Sequence, residues 1–233
     1  MNWKGSIQTT VILVVCGFYA GCAGLAKENT APEANREGLP LVYSEDFEDG
    51  GEGWVFTDDA AWEVRLEDNN HALALHKSSQ YQPPVRSPHS IARIEGLKVS
   101  DFILEARMKQ IGKEYGHRDL CIFFGYQDPS HFYYCHIATK ADPHAHSVFI
   151  VDAKPRLSIA KERTPGADWG TGYHKVRMVR STETGKIQVF FDDMEKPIMV
   201  AEDKTFLEGG IGFGSFDDVG LFDDIKIWGK VAR

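Results

Sequence analysis

From Leu41 onward, apolar and polar residues alternate with a period of two rather than 3.6. Runs such as "AWEVRL", "HALALH", "FILEARMKQI", "DLCIFFGY", "HFYYCHIA", "HSVFIVD", "HKVRMVR", "KIQVFFDD" and "LFDDIKIWG" place every second side chain on one face. This is the pattern of half-buried β-strands. β-branched and aromatic residues dominate the runs, and turn-forming clusters separate them: "EDNN" before His71, "QDPS" after Tyr126, "STETG" after Arg180, "DDMEK" after Phe191. No amphipathic helical segment intervenes, which excludes a parallel α/β fold. About thirteen strands at spacings near ten residues predict an all-β fold, a two-sheet antiparallel β-sandwich. The glycines of "GGIGFG" (Gly209 to Gly214) imitate a dinucleotide fingerprint, but a strand follows instead of a helix. They are read as permitting close strand crossing or leaving room for bulky neighbours.

The N-terminus breaks this pattern. "MNWKGSIQTTVILVVCGFYAGC" has one early lysine and an apolar run from Val11 to Ala20. The run is too short for a comfortable bilayer span and fits the centre of an export signal. The "YAGC" ending resembles the bacterial lipobox, although Tyr19 stands where leucine is usual. That resemblance implies a signal peptide at 1–21, lipidation of Cys22 and a membrane-anchored location; an ordinary cleaved signal is the alternative. Residues 22–40 are polar, Ala/Pro-rich and aperiodic, and read as a tether, leaving 41–230 as the domain. Cys121 and Cys135 are then the only thiols of the domain, on opposite arms of a predicted hairpin and with a parity that allows both on one face; export would permit their oxidation, but buried free thiols are expected. A formal charge of −8 with scattered basic residues excludes a nucleic-acid partner.

Several segments together resemble the concanavalin A-like (laminin G-like) jelly rolls. They are the opening "EDFEDGGEGW", the strand "DFILEARMKQ", "YHKVRMVRSTETGKIQVFFDD" and the closing "GGIGFGSFDDVGLFDDIKIWG". Such domains accompany bacterial glycoside hydrolases or occur as exported lipoproteins. The resemblance implies two curved sheets, the concave one forming a groove for oligosaccharide, and covers Val42 to Gly229. Many such domains also pin the first strand to the last with Ca²⁺. Here Asp46 and Glu48 with Glu45, and Asp223 with Asp224, would supply the oxygens. Asp223 shares strand parity with Ile225 and Ile227, so it is expected to point inward and to need a cation or an arginine. A carboxylate capping a turn is the alternative.

The groove residues follow from alternation. In "HFYYCHIA", Cys135 and Ile137 suit the core, leaving Tyr134 and His136 on the opposite face. In "FILEARMK", Glu105 and Arg107 lie opposite Phe102, Leu104, Ala106 and Met108. If both strands share the concave sheet, Glu105, Arg107, Tyr134 and His136 meet there, rings stacking on sugars and Arg and His donating to hydroxyls. Otherwise they are a solvated surface. In "DPHAHS", an extended backbone would project His144 and His146 together beside Asp142, where His136 or Asp119 completes a divalent-ion site. Trp169 in "GADWGTG" is read as a ring capping the groove, or as loop packing. Glycoside hydrolysis needs two carboxylates about 5–10 Å apart. The "E-x-D-x-x-E" strand of jelly-roll glucanases does not occur, and the adjacent "DD" pairs point to opposite faces.

Three function classes therefore stay open. The first is an exported, lipid-anchored carbohydrate-binding protein. The second, implied by resemblance to a related jelly-roll family, is a metal-assisted, keto-disaccharide or glycoside hydrolase-like enzyme working through His136, Asp119, His144, His146 and Arg107, with His136 and Asp119 as catalytic candidates. The third is a structural or adhesion module without a small ligand.

Overall fold

The computed structural model describes residues 33–232. Among them, strands β1 (Asn35–Arg36), β2 (Leu39–Glu45), β3 (Trp54–Phe56), β4 (Trp62–Glu67) and β5 (Asn70–Leu75) lead to a 21-residue strand, β6 (Ser90–Gln110). Then follow β7 (Asp119–Asp128), β8 (His131–Ala138), β9 (Ser147–Asp152), β10 (Leu157–Ser158) and β11 (Ala160–Arg163). The chain closes with β12 (His174–Arg180), β13 (Lys186–Phe191), β14 (Met199–Glu202), β15 (Gly209–Ser215) and β16 (Gly220–Val231). No α-helix occurs among the described residues.

β6 belongs to two layers because it bends. Its first half pairs with β15 and β3, Gly96 takes φ +70° where the register shifts, and its second half pairs with β12 and β16. Sheet I therefore runs β10–β9–β8–β7–β15–β6–β3. Sheet II runs β11–β14–β13–β12–β6–β16, with β5–β4 and then β2–β1 along the far side of β16. All pairings are antiparallel.

Alternation fills the space between the layers. Leu120, Ile122 and Phe124 of β7 and Tyr133, Cys135 and Ile137 of β8 join Leu104, Ala106 and Met108 of β6 in one core. Contacts across the layers include Phe102–Phe124 (6.1 Å between ring centres), Phe213–Phe222 (5.6 Å) and Cys135 Sγ–Met199 Sδ (3.8 Å). Each buried Phe contributes about 1.5–3 kcal/mol. The sequence also puts large side chains on the other face of sheet I. Ile91, Cys121, Phe123, Tyr126, Phe132, Tyr134, Phe149 and Val151 form a second apolar cluster there. The segment 76–89 lies against it. Val85 packs on the cluster, and the Arg86 carbonyl accepts the Arg156 N–H at 3.1 Å.

β15 makes this packing possible. A Cβ on Gly214 would sit 1.8 Å from the Ser90 carbonyl oxygen, and one on Gly212 would sit 2.5 Å from that of Ala92. Only bare backbone lets β15 approach β6 so closely. Cys121 and Cys135 are free and buried, on opposite faces of sheet I, since Ile122 rather than Cys121 is the register partner of Cys135.

Strand pairing starts earlier than the tether reading of 22–40 allowed. Asn35 and Arg36 pair with Pro40 and Leu39 around Glu37 (φ +50°) and Gly38 (φ +82°). The Asn35 side chain accepts the Gly38 N–H at 3.1 Å. "NREG" is thus a tight hairpin turn, too short to show periodicity. The signal at 1–21 and Cys22 lie outside the described residues.

Candidate functional site

Asp119 opens β7 and His136 lies near the end of β8. The register pairs Cys121 with His136, so all three side chains share the outer face of sheet I. Asp119 is 1% exposed and His136 3%. The Asp119 carboxylate accepts the Cys121 thiol (3.2 Å), the Ser215 hydroxyl (3.1 Å) and the Phe216 N–H (3.3 Å), and its Oδ1 lies 3.5 Å from His136 Nε2. The His146 N–H donates to His136 Nδ1 at 3.3 Å, which leaves the ring proton on Nε2, facing Asp119.

Two further carboxylates arrive from the β15–β16 turn. Asp218 accepts the Asp119 N–H (3.0 Å) and the Tyr115 hydroxyl (2.7 Å), and exposed Asp217 stands beside it. Burial pushes the Asp119 carboxyl up, but His136, the Cys121 thiol and the Phe216 N–H together hold it below the carboxylate range. Burial and the neighbouring Asp119 and Asp217 charges raise Asp218. Burial lowers the His89 imidazole, and Asp217 and Asp119 partly offset that effect. Burial also raises the Cys121 thiol well above its ordinary value, so it is no nucleophile. Among the described residues, two sets bring three potential metal-ligating side chains within 4.8 Å: Asp119–Cys121–His136 and Asp119–Asp217–Asp218.

Beside the carboxylates the face turns aromatic. The Arg156 guanidinium lies over Phe216 (4.4 Å) and Phe149 (4.9 Å), and its Nη1 donates to the Tyr134 hydroxyl at 2.8 Å. His89 meets Phe216 edge-on at 5.8 Å, and its Nε2 is 3.0 Å from the Ser78 hydroxyl. Tyr134 stacks on Phe149 (5.1 Å) and Phe123 (5.8 Å). Arg156, His89 and Phe216 are partly exposed, while Tyr134 and His136 are buried beneath them.

The predicted groove is divided by the core. Tyr134 and His136 lie on the outer face of sheet I, but Glu105 and Arg107 lie on the outer face of sheet II. The bend in β6 sends its second half into the other layer, which a strand pattern cannot reveal. Glu105 is held by Arg36 (2.8 Å), Lys175 (3.0 Å) and Arg177 (2.6 Å), while Arg107 lies 4.6 Å over the Tyr173 ring and 3.2 Å from Asp224. His144 and His146 separate as well. An Asp142–Ala145 bridge tightens the loop, and His146 (φ +52°) turns inward to Thr164 Oγ1 at 2.9 Å, leaving His144 in solvent. Trp169 is 1% exposed; its Nε1–H donates to the Ile137 carbonyl (3.1 Å) and its ring packs on Phe191. It closes the core and cannot cap a groove.

Asp223 also differs from its expected direction. A bulge at Asp224 (φ +48°) resets the alternation, so Phe222 and Ile225 both face the core while Asp223 faces the side of its register partner Arg107. It is nonetheless fully buried. Asp223 accepts Asn70 Nδ2–H (3.0 Å) and the Asp224 N–H (2.7 Å). Next to Asn70, His71 gives both its N–H (3.0 Å) and its ring to Glu48. Asp46 instead accepts the Glu48 N–H (3.3 Å), on the rim of an acidic depression of about 410 Å³. Glu48 and Asp223 thus both bond the start of β5, and Asp46 is turned elsewhere.

Nothing in the sequence singles out Arg156, His89, Phe216 or Tyr115, and Asp217 and Asp218 stand there only as one of the adjacent acid pairs. "FDDV" looks like a turn and "AKPRLS" has no period, so only the fold brings them to Asp119.

No protein-family model matches the chain, and no curated protein matches it. Solved structures share its fold. A carbohydrate binding module, CBM66 from Bacillus subtilis, is 18% identical with a TM-score of 0.53, covering 76% of this chain and 95% of the module. Domain 4 of AbnA, an extracellular arabinanase from Geobacillus stearothermophilus solved with arabinotriose, is 10% identical with a TM-score of 0.54, covering 84% and 95%. Peanut lectin is 14% identical with a TM-score of 0.51, covering 81% and 96%. Likeness at these identities establishes the fold, a concanavalin A-like jelly roll.

Proposed function

We propose that this chain is an exported, lipid-anchored carbohydrate-binding protein whose ligand lies on the outer face of sheet I, around Arg156, Phe216, His89 and Asp217. One observation carries the reading. Partly exposed hydrogen-bond donors (Arg156, His89) and an aromatic ring (Phe216) converge with an exposed acceptor (Asp217) above a buried polar floor. A sugar needs this mixture, since its hydroxyls donate and accept while its C–H face packs on a ring. The fold agrees with a carbohydrate binding module and a lectin, which supports the class and leaves the sugar unspecified. The apolar Val11–Ala20 run and "YAGC" support export and lipidation of Cys22.

The test is a glycan array with the protein and with Arg156→Ala. Selective binding that falls at least about tenfold in the variant is expected, from loss of one charged donor. Binding unchanged by Arg156→Ala, or no binding to any glycan, refutes the site. Calcium belongs to the same proposal: Glu48 and Asp223 both bond the start of β5, at His71 and Asn70, and would bind the ion there, so chelation should lower the melting temperature.

A second reading, turnover of the bound glycan, is favoured by the Asp119–Asp218 pair. Their surroundings push the two carboxyls in opposite directions, the condition under which one donates a proton while the other stays ionised. Released sugar on the same array, lost in Asp218→Asn, would support it.

A further inference from the structure

β4 pairs with β5 along one side only; among the described residues no strand joins its other side. Its sequence is Trp62, Glu63, Val64, Arg65, Leu66, Glu67. Trp62 enters the core, while on the same face Val64 lies against Gly51 at its margin and Leu66 runs past it, leaving them 36% and 60% exposed. On the other face Glu63 and Arg65 bond each other, with Arg65 Nε and Nη2 donating to Glu63 Oε1 at 2.8 and 2.6 Å. Proline, lysine and bulges, which commonly protect a free edge, are all missing from this strand.

We propose that this edge pairs with the same edge of a second copy, joining two sheet II layers into one continuous sheet. Charge and shape select the register. Antiparallel pairing centred on Val64 sets Glu63 against Arg65 of the second copy and Arg65 against its Glu63. It also sets Val64 on Val64 and Trp62 against Leu66. Residues directly opposite share a face, so charges meet charges and apolar groups meet apolar groups. A slip by one residue opposes Glu63 to Leu66, mixing the faces. Centring on Glu63 or on Arg65 brings like charges together. Centring on Leu66 opposes Arg65 to Glu67 but engages only three strand residues per copy. The two-fold axis therefore passes through Val64, and the interface is isologous. A single strand edge buries less than about 1,200 Å², so the dimer is weak and concentration-dependent.

The full-length chain in detergent micelles tests this by sedimentation velocity and by oxidative cross-linking, with Cys16 and Cys22 replaced by serine; Cys121 and Cys135 are buried. Val64→Cys should give a disulfide-linked dimer and Leu66→Cys should not. Glu63→Arg should weaken self-association about tenfold, by replacing two attractive pairs with two repulsive ones. Glu63→Arg with Arg65→Glu should restore it, because the reversed pattern is again self-complementary. Three results would overturn the proposal: a monomer at every concentration, cross-linking through Leu66→Cys as readily as Val64→Cys, or a double reversal no better than the single one. Circular dichroism on each variant separates lost association from lost fold.

Discussion

Acidification probes the loop that the histidine pattern mistook for a metal site. His146 is fully buried at φ +52°, its Nε2 2.9 Å from Thr164 Oγ1, and its Nδ1 has no hydrogen-bond partner among the described residues. Burial lowers its pKa from 6.5 to about 4; the Ala138 backbone opposes this shift, and the nearby His136 and Arg163 add to it. The unfolded chain takes up the proton near pH 6.5, whereas the folded chain refuses it until about pH 4. Stability present above pH 6.5 is therefore lost as the pH falls towards 4. Two and a half pKa units correspond to about 3 kcal/mol at pH 4, or roughly 6–12 °C in melting temperature for a domain of this size. Other groups titrate over the same range: Asp218, with a raised pKa, gains stability as the pH falls, and His89, with a lowered one, loses it. The experiment must therefore be differential. Asn tolerates the left-handed backbone, so His146→Asn removes the titration and keeps the turn. Urea unfolding of both proteins from about pH 7.5 to pH 4 should show the variant less stable at neutral pH, with the gap closing by about 3 kcal/mol in acid. Parallel curves across that range would falsify the assignment of a buried, neutral His146.

Two further substitutions test the packing. Trp169→Ala should lower stability by about 3–5 kcal/mol in thermal or urea unfolding; an unchanged melt with lost sugar binding would return Trp169 to a stacking role. Gly214→Ala should abolish folding or cost several kcal/mol, since its methyl would overlap the Ser90 carbonyl, and a native-like melt would show that β15 and β6 do not approach so closely.

The second layer of sequence information was only partly readable. Alternation in "HFYYCHIA" assigned Cys135 and Ile137 to the core and Tyr134 and His136 to the opposite face, as found, whereas the shared face open to Cys121 and Cys135 is ruled out by the register, which sets Ile122 against Cys135. The same rule failed for Asp223, because one extra residue at Asp224 reverses every following side chain and bulges leave no compositional mark. "SIARIEGLKV" carried no clean alternation because that part of β6 crosses from one layer to the other at Gly96.

By itself, the amino-acid order determined that the chain folds as stacked antiparallel strands and which side chains of a strand share a face, as far as its first bulge. These depend on neighbours two to four positions apart, where periodicity is visible. The tertiary structure alone decided that Arg107 and His136 stand on opposite outer faces. It also decided that Asp218, 99 positions from Asp119, shares its hydrogen bonds. Such meetings depend on where a long strand bends and which strands become neighbours, and spacing along the chain holds no record of either.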